Sequence, residues 1–290
     1  MRIVLIGNGG QLASDLLPLL KERYEVVSLG HAELDLCDHA AVRARLDRDR
    51  PELVINTAAF HRVDHCEEAV SEAFAVNALA VLNLARWCDR HDAALMHFST
   101  DYVFAGDVAS PRGEADLPGP LSVYGASKLT GEYLVRQACA RHFVVRTCGL
   151  YGRAGSSGKG GNFVETMLRL GRKGEPVRVV ADQIVGPTAT ADLARKLVQV
   201  LERGDYGLYH VTNAGACSWF EFARAIFELA NLRVDLTPIS SKQFGAAARR
   251  PAYSVLRHDH LAALALDDMP TWRDALARYL REGGGDSHPR

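Results

Sequence analysis

Short apolar runs alternate with amphipathic stretches along the first half of the chain. The runs predict β-strands at residues 2–6, 24–29, 51–60, 94–98 and 143–147. Runs with little polar alternation are typical of parallel strands that helices cover on both faces. The pattern therefore predicts an α/β fold with a doubly wound parallel sheet formed by residues 1–147.

The simple alternation of strands and helices ends after Thr147. Residues 148–282 are expected to form mainly a smaller, mixed C-terminal lobe, with some segments returning to the first domain. Three consecutive glycines begin at Gly283 in a polar stretch. Residues 283–290 therefore predict a disordered tail.

Composition limits the classes of function. Of 290 residues, 48% are apolar and 24% charged, and the formal net charge is -1, which gives no overall electrostatic reason to bind nucleic acid or an anionic membrane. No apolar run approaches the roughly 20 residues that a membrane-spanning helix needs. The six cysteines form no C-x-x-C pair and no secretory signal precedes the first strand, so we expect reduced thiols and a cytoplasmic protein.

A glycine-rich turn follows the first apolar run. Gly7, Gly10 and Ala13 have the spacing G-x-x-G-x-x-A at the start of a helical pattern. Such a turn lets the pyrophosphate of a dinucleotide approach backbone N–H groups at the positive end of the helix dipole. On its own, the turn is equally well explained as a helix cap.

Tyr124 and Lys128 lie four residues apart at the start of a helical pattern, which places them on one helix face. An ammonium group one turn away stabilises a phenolate and lowers the tyrosine pKa, which suits a tyrosine to general acid catalysis. The pair alone is a weak signal, because both residue types are common on solvated helix faces. An S-T-D-Y stretch beginning at Ser99 adds polar groups after the fourth apolar run.

The glycine turn, the S-T-D-Y stretch and the Y-x-x-x-K pair, in this order, resemble the extended short-chain dehydrogenase/reductase family. Within it, the chain is similar from residue 1 to about residue 280 to the dTDP-4-dehydrorhamnose reductases. The resemblance implies a Rossmann domain and reduction of the 4-keto group of a nucleotide-activated deoxysugar, with conversion of dTDP-4-dehydro-L-rhamnose to dTDP-L-rhamnose expected. It also implies that Tyr124 donates a proton, Lys128 lowers the Tyr124 pKa and bonds the nicotinamide ribose, and Thr100 orients the carbonyl.

The resemblance assigns the remaining site residues by position. Those expected to bind the cofactor are Gly7, Gly10, Gln11, Leu12, Ala13, His31, Asp35, Leu36, Ala58, Ala59 and Phe60, together with Tyr124 and Lys128. Those expected to bind the substrate are Thr100, Asp101, Asn162 and Gln183. From the residues alone, Asp35 is equally plausible as a helix cap.

The second predicted strand bears on the choice of cofactor. A carboxylate directly after it favours NAD by accepting from the ribose 2′-hydroxyl, but here the first acid is Glu33, after Gly30, His31 and Ala32. We therefore expect NADPH, with NADH also accepted. His31 is either a partner of the 2′-phosphate or an ordinary surface histidine.

Three other functions are alternatives to reductase activity. The related 4,6-dehydratases carry T-D-E where this chain has Thr100, Asp101 and Tyr102, so dehydration is not expected. A sugar-nucleotide reductase or epimerase with a different sugar stays open. So does a non-catalytic NADP-binding regulatory subunit similar to that of methionine adenosyltransferase, although the complete Thr100, Tyr124 and Lys128 set favours an enzyme.

No metal is expected. His61 and His65 have the four-residue spacing of some zinc ligands, but the rest of such a motif is missing. Some relatives are thought to dimerise around a magnesium ion held by glutamates, and the corresponding positions here are Asp15 and Ala191. Because alanine supplies no ligand, a required magnesium ion is not predicted, and the protein is expected to be a monomer or a homodimer.

Gly149 is the clearest departure from the family pattern. Rhamnose-type relatives commonly read R-T-S-W-V-Y-G where this chain has R-T-C-G-L-Y-G from Arg146, and their tryptophan packs near the deoxysugar. The change leaves space in the pocket or transfers the contact to another group. Either the loop over residues 153–161 covers the gap, or the pocket is wider and accepts a different 4-keto sugar.

Overall fold

The computed structural model of the protein describes residues 1–154 and 161–283. The predicted tail beyond Gly283 and most of the 153–161 loop therefore lie outside the described residues. The strands are β1 Arg2–Ile6, β2 Glu25–Leu29, β3 Leu53–Asn56, β4 Ala94–Thr100, β5 His142–Thr147, β6 Leu150–Tyr151, β7 Val177–Val180, β8 Ile184–Val185, β9 Thr188–Ala189, β10 Gly207–His210, β11 Cys217–Ser218 and β12 Leu236–Ile239. The α-helices are α1 Gln11–Lys21, α2 His39–Asp49, α3 Val63–Glu68, α4 Val70–Phe74, α5 Ala80–Arg90, α6 Val123–Ala138, α7 Phe163–Lys173, α8 Thr190–Arg203, α9 Trp219–Leu229, α10 Ser241–Phe244, α11 Asp259–Ala263 and α12 Trp272–Arg281.

A six-stranded parallel sheet forms the centre of the molecule, in the order β10-β5-β4-β3-β1-β2. The doubly wound α/β fold is therefore confirmed. The chain builds outward from β1 in both directions, and ligands of such sheets bind in the crevice at the carboxyl ends of the strands near this reversal. Strand β10 comes from well beyond residue 147 and closes one edge by pairing with β5.

Alternate side chains of the central strands feed two separate cores. Ile3 and Leu5 point to the face covered by α1 and α8, whereas Val4 and Ile6 point to the face covered by α2, α5 and α6. All four side chains are almost fully buried. This burial on both faces explains why the first strand reads as an uninterrupted apolar run.

Helices α7, α9 and α12 form a third core with the short strands that follow β5. Its centre contains Leu168, Phe222, Ile226 and Leu276. The strand pairs here are mixed, since β11 pairs antiparallel with β8 while β12 and β7 pair in parallel. Among the residues that the structure describes, no helix is long and apolar enough to cross a membrane.

The single amphipathic helix suggested by residues 73–90 is instead interrupted by a π-helical turn, Ala75–Leu79. The wider turn accommodates Asn77, which is buried. Its side chain accepts from the backbone N–H of Phe60 and donates to the Phe60 carbonyl, both at 2.9 Å, and also donates to Ser127 Oγ. The turn therefore ties the segment after β3 to helix α6, as π-bulges near functional sites often do.

A buried ion pair joins helix α6 to strand β5. The Arg146 guanidinium donates to both carboxylate oxygens of Glu132, at 2.9 and 2.7 Å, and both side chains are at most 2% exposed. The guanidinium also lies over the Phe104 ring, 5.0 Å from its centroid. Such a pair holds two elements in one geometry, but the loss of either partner leaves a buried charge without compensation.

Replacing Arg146 by methionine should therefore lower the free energy of unfolding by about 3–5 kcal/mol, because Glu132 would stay buried without its cation. Urea denaturation followed by circular dichroism measures this loss. The control is Arg273→Met, which removes an exposed ion pair with Glu228 and should change stability by less than about 1 kcal/mol. Equal losses in the two variants would contradict the assignment.

Candidate active site

A cavity of about 1000 Å³ opens at the carboxyl ends of β1 to β5. The glycine turn after β1 forms one part of its wall, and the S-T-D-Y stretch after β4 and the start of α6 form another. The predicted site residues that line it are Gly7, Gly10, Gln11, Leu12, Ala13, His31, Asp35, Leu36, Ala58, Ala59, Phe60, Thr100, Asp101, Tyr124, Lys128 and Asn162. The fold thus brings together residues that are more than 150 positions apart in the chain.

The glycine turn suits a diphosphate for steric and electrostatic reasons. Gly7 has φ +91°, and a Cβ there would lie 2.7 Å from Thr57 Oγ1 and 2.8 Å from the Ala58 nitrogen. Gly10 is the N-cap of α1, and no side chain caps the first N–H groups of this helix. These groups lie beside the cavity and are available to an anion. Gln11 Oε1 is also buried without a hydrogen-bond partner among the described residues.

The loop after β2 contains the carboxylate of Glu33. From the sequence spacing, this residue is too far from the end of β2 to take the place of the carboxylate that favours NAD. Glu33 lines the cavity, and its Oε2 accepts from the Gly30 N–H at 2.7 Å, which brings the acid back beside the end of β2. His31 is exposed on the same rim. Asp35 Oδ1 accepts from the Cys37 N–H at 2.9 Å, while Asp38 caps α2.

Tyr124 and Thr100 meet where α6 passes the end of β4. The Thr100 hydroxyl donates to Asp101 Oδ1 at 2.9 Å and also interacts with the Tyr124 phenol. Tyr124 is half-buried in the cavity wall, and burial raises its pKa well above the ordinary value. The Asp101 carboxylate raises the pKa further, whereas the Thr100 hydrogen bond opposes the shift.

The expected lowering of the Tyr124 pKa by Lys128 is therefore not what the structure supports. Burial dominates, and Lys128 is not among the groups that shift the Tyr124 pKa. The phenol is consequently protonated at neutral pH, which is the form that a proton donor requires.

Lys128 itself is only 2% exposed, and burial lowers its pKa to about 8, an effect that Glu132 partly opposes. Its Nζ lies 3.4 Å from Nε2 of His97, a fully buried residue of β4. Among the described residues, no carboxylate or carbonyl oxygen lies within hydrogen-bonding distance of Nζ. The ammonium form is thus poorly solvated in the ligand-free protein.

Asp101 is a second buried ionisable group in the cavity wall. Its carboxyl accepts from Thr100 Oγ1, from Cys148 Sγ at 3.0 Å and from Ser254. Burial nevertheless raises its pKa above the ordinary value, and the three hydrogen bonds limit that rise. Three donors hold the carboxyl fixed beside Thr100 and Tyr124.

Gln183 is the one predicted site residue that does not line the cavity. It is buried, and its Nε2 donates to Ser241 Oγ at 2.8 Å, which uses the side chain to fasten α10. Asn162 lines the cavity but is the N-cap of α7, where its Oδ1 accepts from the Glu165 N–H and its Nδ2 donates to the Gly152 carbonyl. Contact of either residue with a substrate stays a prediction.

Trp219 and Phe163 line the cavity although neither was selected from the sequence. Their rings pack 4.8 Å apart between centroids, and both side chains are half-buried. Trp219 Cη2 lies 3.5 Å from the Cβ position of Gly149, which has φ +55°. Tryptophan from α9 thus occupies space next to the position where rhamnose-type relatives carry their own tryptophan. A capping box at Ser218 indicates the start of this helix, but not where its first side chain points.

No group of three or more metal-ligating side chains occurs within residues 1–154 and 161–283. Asp15 accepts a hydrogen bond from the Thr190 hydroxyl and lines a separate small cavity beside Ala191. The absence of a required metal stays a prediction.

The comparison with known families decides the relationship. The family model described as RmlD substrate binding domain matches residues 1–284. The chain belongs to the RmlD substrate binding domain family. The resemblance to dTDP-4-dehydrorhamnose reductases and the prediction of an oxidoreductase are thereby confirmed.

Members of the family with known structures or curated names are similar along almost their whole length. The dTDP-4-dehydrorhamnose reductase of Bacillus anthracis, solved in complex with NADP, is 40% identical, with a TM-score of 0.92 over 97% of this chain and 99% of that chain. The enzyme of the same name from Mycobacterium tuberculosis is 40% identical over 96% of this chain and 92% of its own length. A probable dTDP-4,6-dihydroxy-2-methyloxan-3-one 4-ketoreductase of Streptomyces antibioticus is 39% identical over 100% of this chain and 98% of its own length.

Substitution of Lys128 by methionine should stabilise the ligand-free protein near neutral pH. The lysine pKa is lower in the folded than in the unfolded chain, so its charging destabilises the fold below about pH 8, and this penalty disappears as the pH rises towards about 10.4. At about 1.4 kcal/mol per pKa unit, the gain at pH 7 is up to about 3 kcal/mol, and it should shrink between pH 8 and pH 10. Urea denaturation at several pH values measures it.

Lys196→Met is the matched control. Lys196 is equally buried, but its Nζ donates to the Leu266 carbonyl at 2.7 Å and pairs with Asp268. Its replacement should lower stability. A loss of stability in both variants would show that Lys128 has a compensating partner.

Proposed function

We propose that the protein reduces the 4-keto group of a dTDP-activated 6-deoxysugar with NADPH. The observation that carries the proposal is the convergence of Thr100, Tyr124 and Lys128 in the cavity that begins at the glycine turn. A purely regulatory binding protein has no chemical need for this set. The names of the similar reductases agree with the proposed reaction.

NADPH is proposed as the cofactor, with NADH also accepted. The NADP complex of the Bacillus anthracis relative supports the choice, as does the fit of the uncapped α1 N-terminus to a diphosphate. Glu33 is a competing influence, because its carboxylate beside Gly30 would repel a 2′-phosphate. When bound, NADPH would supply the hydride that reduces the sugar carbon.

The proposed role of Tyr124 is to donate its phenolic proton to the sugar oxygen as that oxygen gains charge. Its raised pKa keeps the proton in place until the substrate oxygen becomes basic enough to accept it. Thr100 would hold the carbonyl in line, with Asp101 fixing the threonine hydroxyl. Lys128, as an ammonium, would stabilise the resulting phenolate and bond the nicotinamide ribose.

We propose dTDP-4-dehydro-L-rhamnose as the sugar nucleotide, with the Trp219 and Phe163 pair as the apolar wall against which the deoxysugar packs. The contact of Trp219 with the Gly149 position supports this assignment, because it restores aromatic surface where the family tryptophan is missing. The similar Streptomyces antibioticus protein carries a different sugar in its name, so a different 4-keto sugar is the second candidate. In the proposed division of labour, residues 1–147 bind mainly the cofactor and residues 148–282 mainly the substrate.

Replacing Tyr124 by phenylalanine should reduce kcat by roughly 10²-fold or more, because the variant has no proton donor at that position. Initial rates with dTDP-4-dehydro-L-rhamnose, measured with NADPH and then with NADH, test the role and the cofactor preference together. Tyr133→Phe on the exposed face of the same helix is the control and should retain full activity. Undiminished turnover of the Tyr124 variant would remove Tyr124 from the mechanism.

Trp219→Ala should weaken discrimination between a 6-deoxy sugar and the corresponding 6-hydroxy sugar by about 10-fold or more. An aromatic wall distinguishes a methyl from a hydroxymethyl group by about 1–3 kcal/mol. The ratio of kcat/KM for the two sugars measures the effect, and Trp219→Phe, which keeps an aromatic ring, should retain most of the discrimination. An unchanged ratio in the alanine variant would exclude Trp219 as the wall.

A further inference from the structure

His97 is a fully buried histidine that the proposed mechanism does not use. It lies on β4 three residues before Thr100, and its ring is held between Asn56 on β3 and Lys128 on α6. Gly131 lies beside the ring, since a Cβ at that position would be in van der Waals contact with His97 Nε2, at 3.5 Å. Asn56, His97 and Lys128 thus form a hydrogen-bond network that ends at the lysine of the candidate active site.

The direction of the hydrogen bonds in this network follows from Asn56. Its Oδ1 lies 3.1 Å from the Ala58 nitrogen, and a backbone N–H can only donate, so the amide oxygen faces Ala58. The Asn56 amide nitrogen therefore faces His97 Nδ1, at 3.4 Å, and can only donate to it. A neutral histidine whose Nδ1 accepts carries its proton on Nε2.

That proton points at Lys128. His97 Nε2 lies 3.4 Å from Lys128 Nζ, and an ammonium has three N–H donors but no acceptor. All three contacts, from Ala58 through Asn56 and His97 to Lys128, can be satisfied together only when Lys128 is a neutral amine. A charged Lys128 requires one of two changes. Either the His97 proton moves from Nε2 to Nδ1, which breaks the hydrogen bond from Asn56, or Nζ moves away from the His97 ring.

We propose that His97 is a positioning residue that, oriented by Asn56, favours the neutral amine form of Lys128 in the ligand-free protein. Its meaning for catalysis rests on the proposed function. Ribose hydroxyls of a bound nicotinamide cofactor would offer Nζ the acceptors that His97 does not, so Lys128 takes up a proton when the cofactor binds. Cofactor binding therefore raises the fraction of Lys128 that carries the charge beside Tyr124.

Other charged groups around α6 do not account for this arrangement. Glu132 favours the ammonium form of Lys128, but its carboxylate is held by Arg146. Burial lowers the pKa of Lys128 to about 8, so the neutral amine becomes the main form above about pH 8. The other titratable groups on this helix and on the elements that contact it are Asp64, His65, Cys66, Glu67, Glu68, Glu72, Arg86, Cys88, Asp89, Arg90, His97, Asp101, Tyr102, Tyr124, Glu132, Tyr133, Arg136, His142 and Arg146.

Nuclear magnetic resonance of the ¹⁵N-labelled, ligand-free full chain at pH 8.5, above the Lys128 pKa of about 8, tests the proposal directly. Long-range ¹H–¹⁵N correlations identify which ring nitrogen of each histidine carries the proton, and we expect Nε2 for His97. His142 is the internal reference, because its Nδ1 lies 2.7 Å from the Cys139 carbonyl and must donate. A His97 proton on Nδ1 would overturn the proposal without reference to any substrate or cofactor.

The variant Asn56→Asp should reverse the direction of the hydrogen bonds in this network. A carboxylate cannot donate, so the His97 proton should move to Nδ1, leave Nε2 free to accept from the ammonium and raise the Lys128 titration midpoint by about one pH unit or more. Asn56→Ala separates this effect from added charge, because it also frees the tautomer and should raise the midpoint by a smaller amount. A rise in the aspartate variant alone, with the proton still on Nε2, would show a charge effect and contradict the proposal.

Calorimetry tests whether the hydrogen-bond network is coupled to cofactor binding. Titration of NADP⁺ at pH 8.5 in buffers of different ionisation enthalpy should show net proton uptake in the unaltered protein and less uptake in Asn56→Asp. Binding without proton uptake would overturn the proposed coupling. Absence of NADP⁺ binding would instead contradict the proposed function and leave the tautomer result intact.

Discussion

The close approach of helix α6 to the backbone around it is the constraint on which the site depends. A Cβ at Gly125 would lie 2.3 Å from the Tyr102 carbonyl oxygen, and one at Gly131 would lie 2.2 Å from the Asn77 carbonyl oxygen. Both are main-chain atoms that cannot move aside, so any larger residue pushes the helix away from the end of β4. Because Tyr124 and Lys128 are carried on this helix, the two glycines set their distance from the cavity. The inward-turned Asn77 of the π-helical turn then links the same helix to the segment after β3.

This close packing also decides the electrostatics. Burial shifts the pKa values of Tyr124 and Asp101 upward and that of Lys128 downward, so each group is moved towards its neutral form. Burial in the ligand-free cavity therefore opposes charge on all three groups. The close packing of α6 disfavours the charged form of Lys128 unless a ligand supplies the missing hydrogen-bond acceptors. The cofactor is therefore part of the electrostatic design of the site.

The sequence predicted the features that arise from local patterns. Apolar runs gave the central parallel strands, and the glycine turn gave the end of β1 where the cavity begins. Strand β10 was harder to predict, because only four residues, Gly207–His210, pair with β5 and their pairing is non-local. Gln183 lies in a motif that matches the family, but side-chain direction depends on packing, and here the amide turns to Ser241. The shift in the Tyr124 pKa was expected in the wrong direction because spacing on a helix does not reveal burial.

The exchange at Gly149 shows how the cavity can keep its character while its residues change. A left-handed φ of +55° is favourable for glycine and strained for a tryptophan. A side chain at this position would also meet the Pro187 backbone at 3.2 Å and the Trp219 ring at 3.5 Å. The backbone conformation at Gly149 and the position of Trp219 are therefore coupled, since the ring packs directly against residue 149. Aromatic surface in this part of the cavity consequently comes from α9, an element of the C-terminal lobe, so under the proposed function that lobe, rather than the loop after β5, would determine which sugar fits.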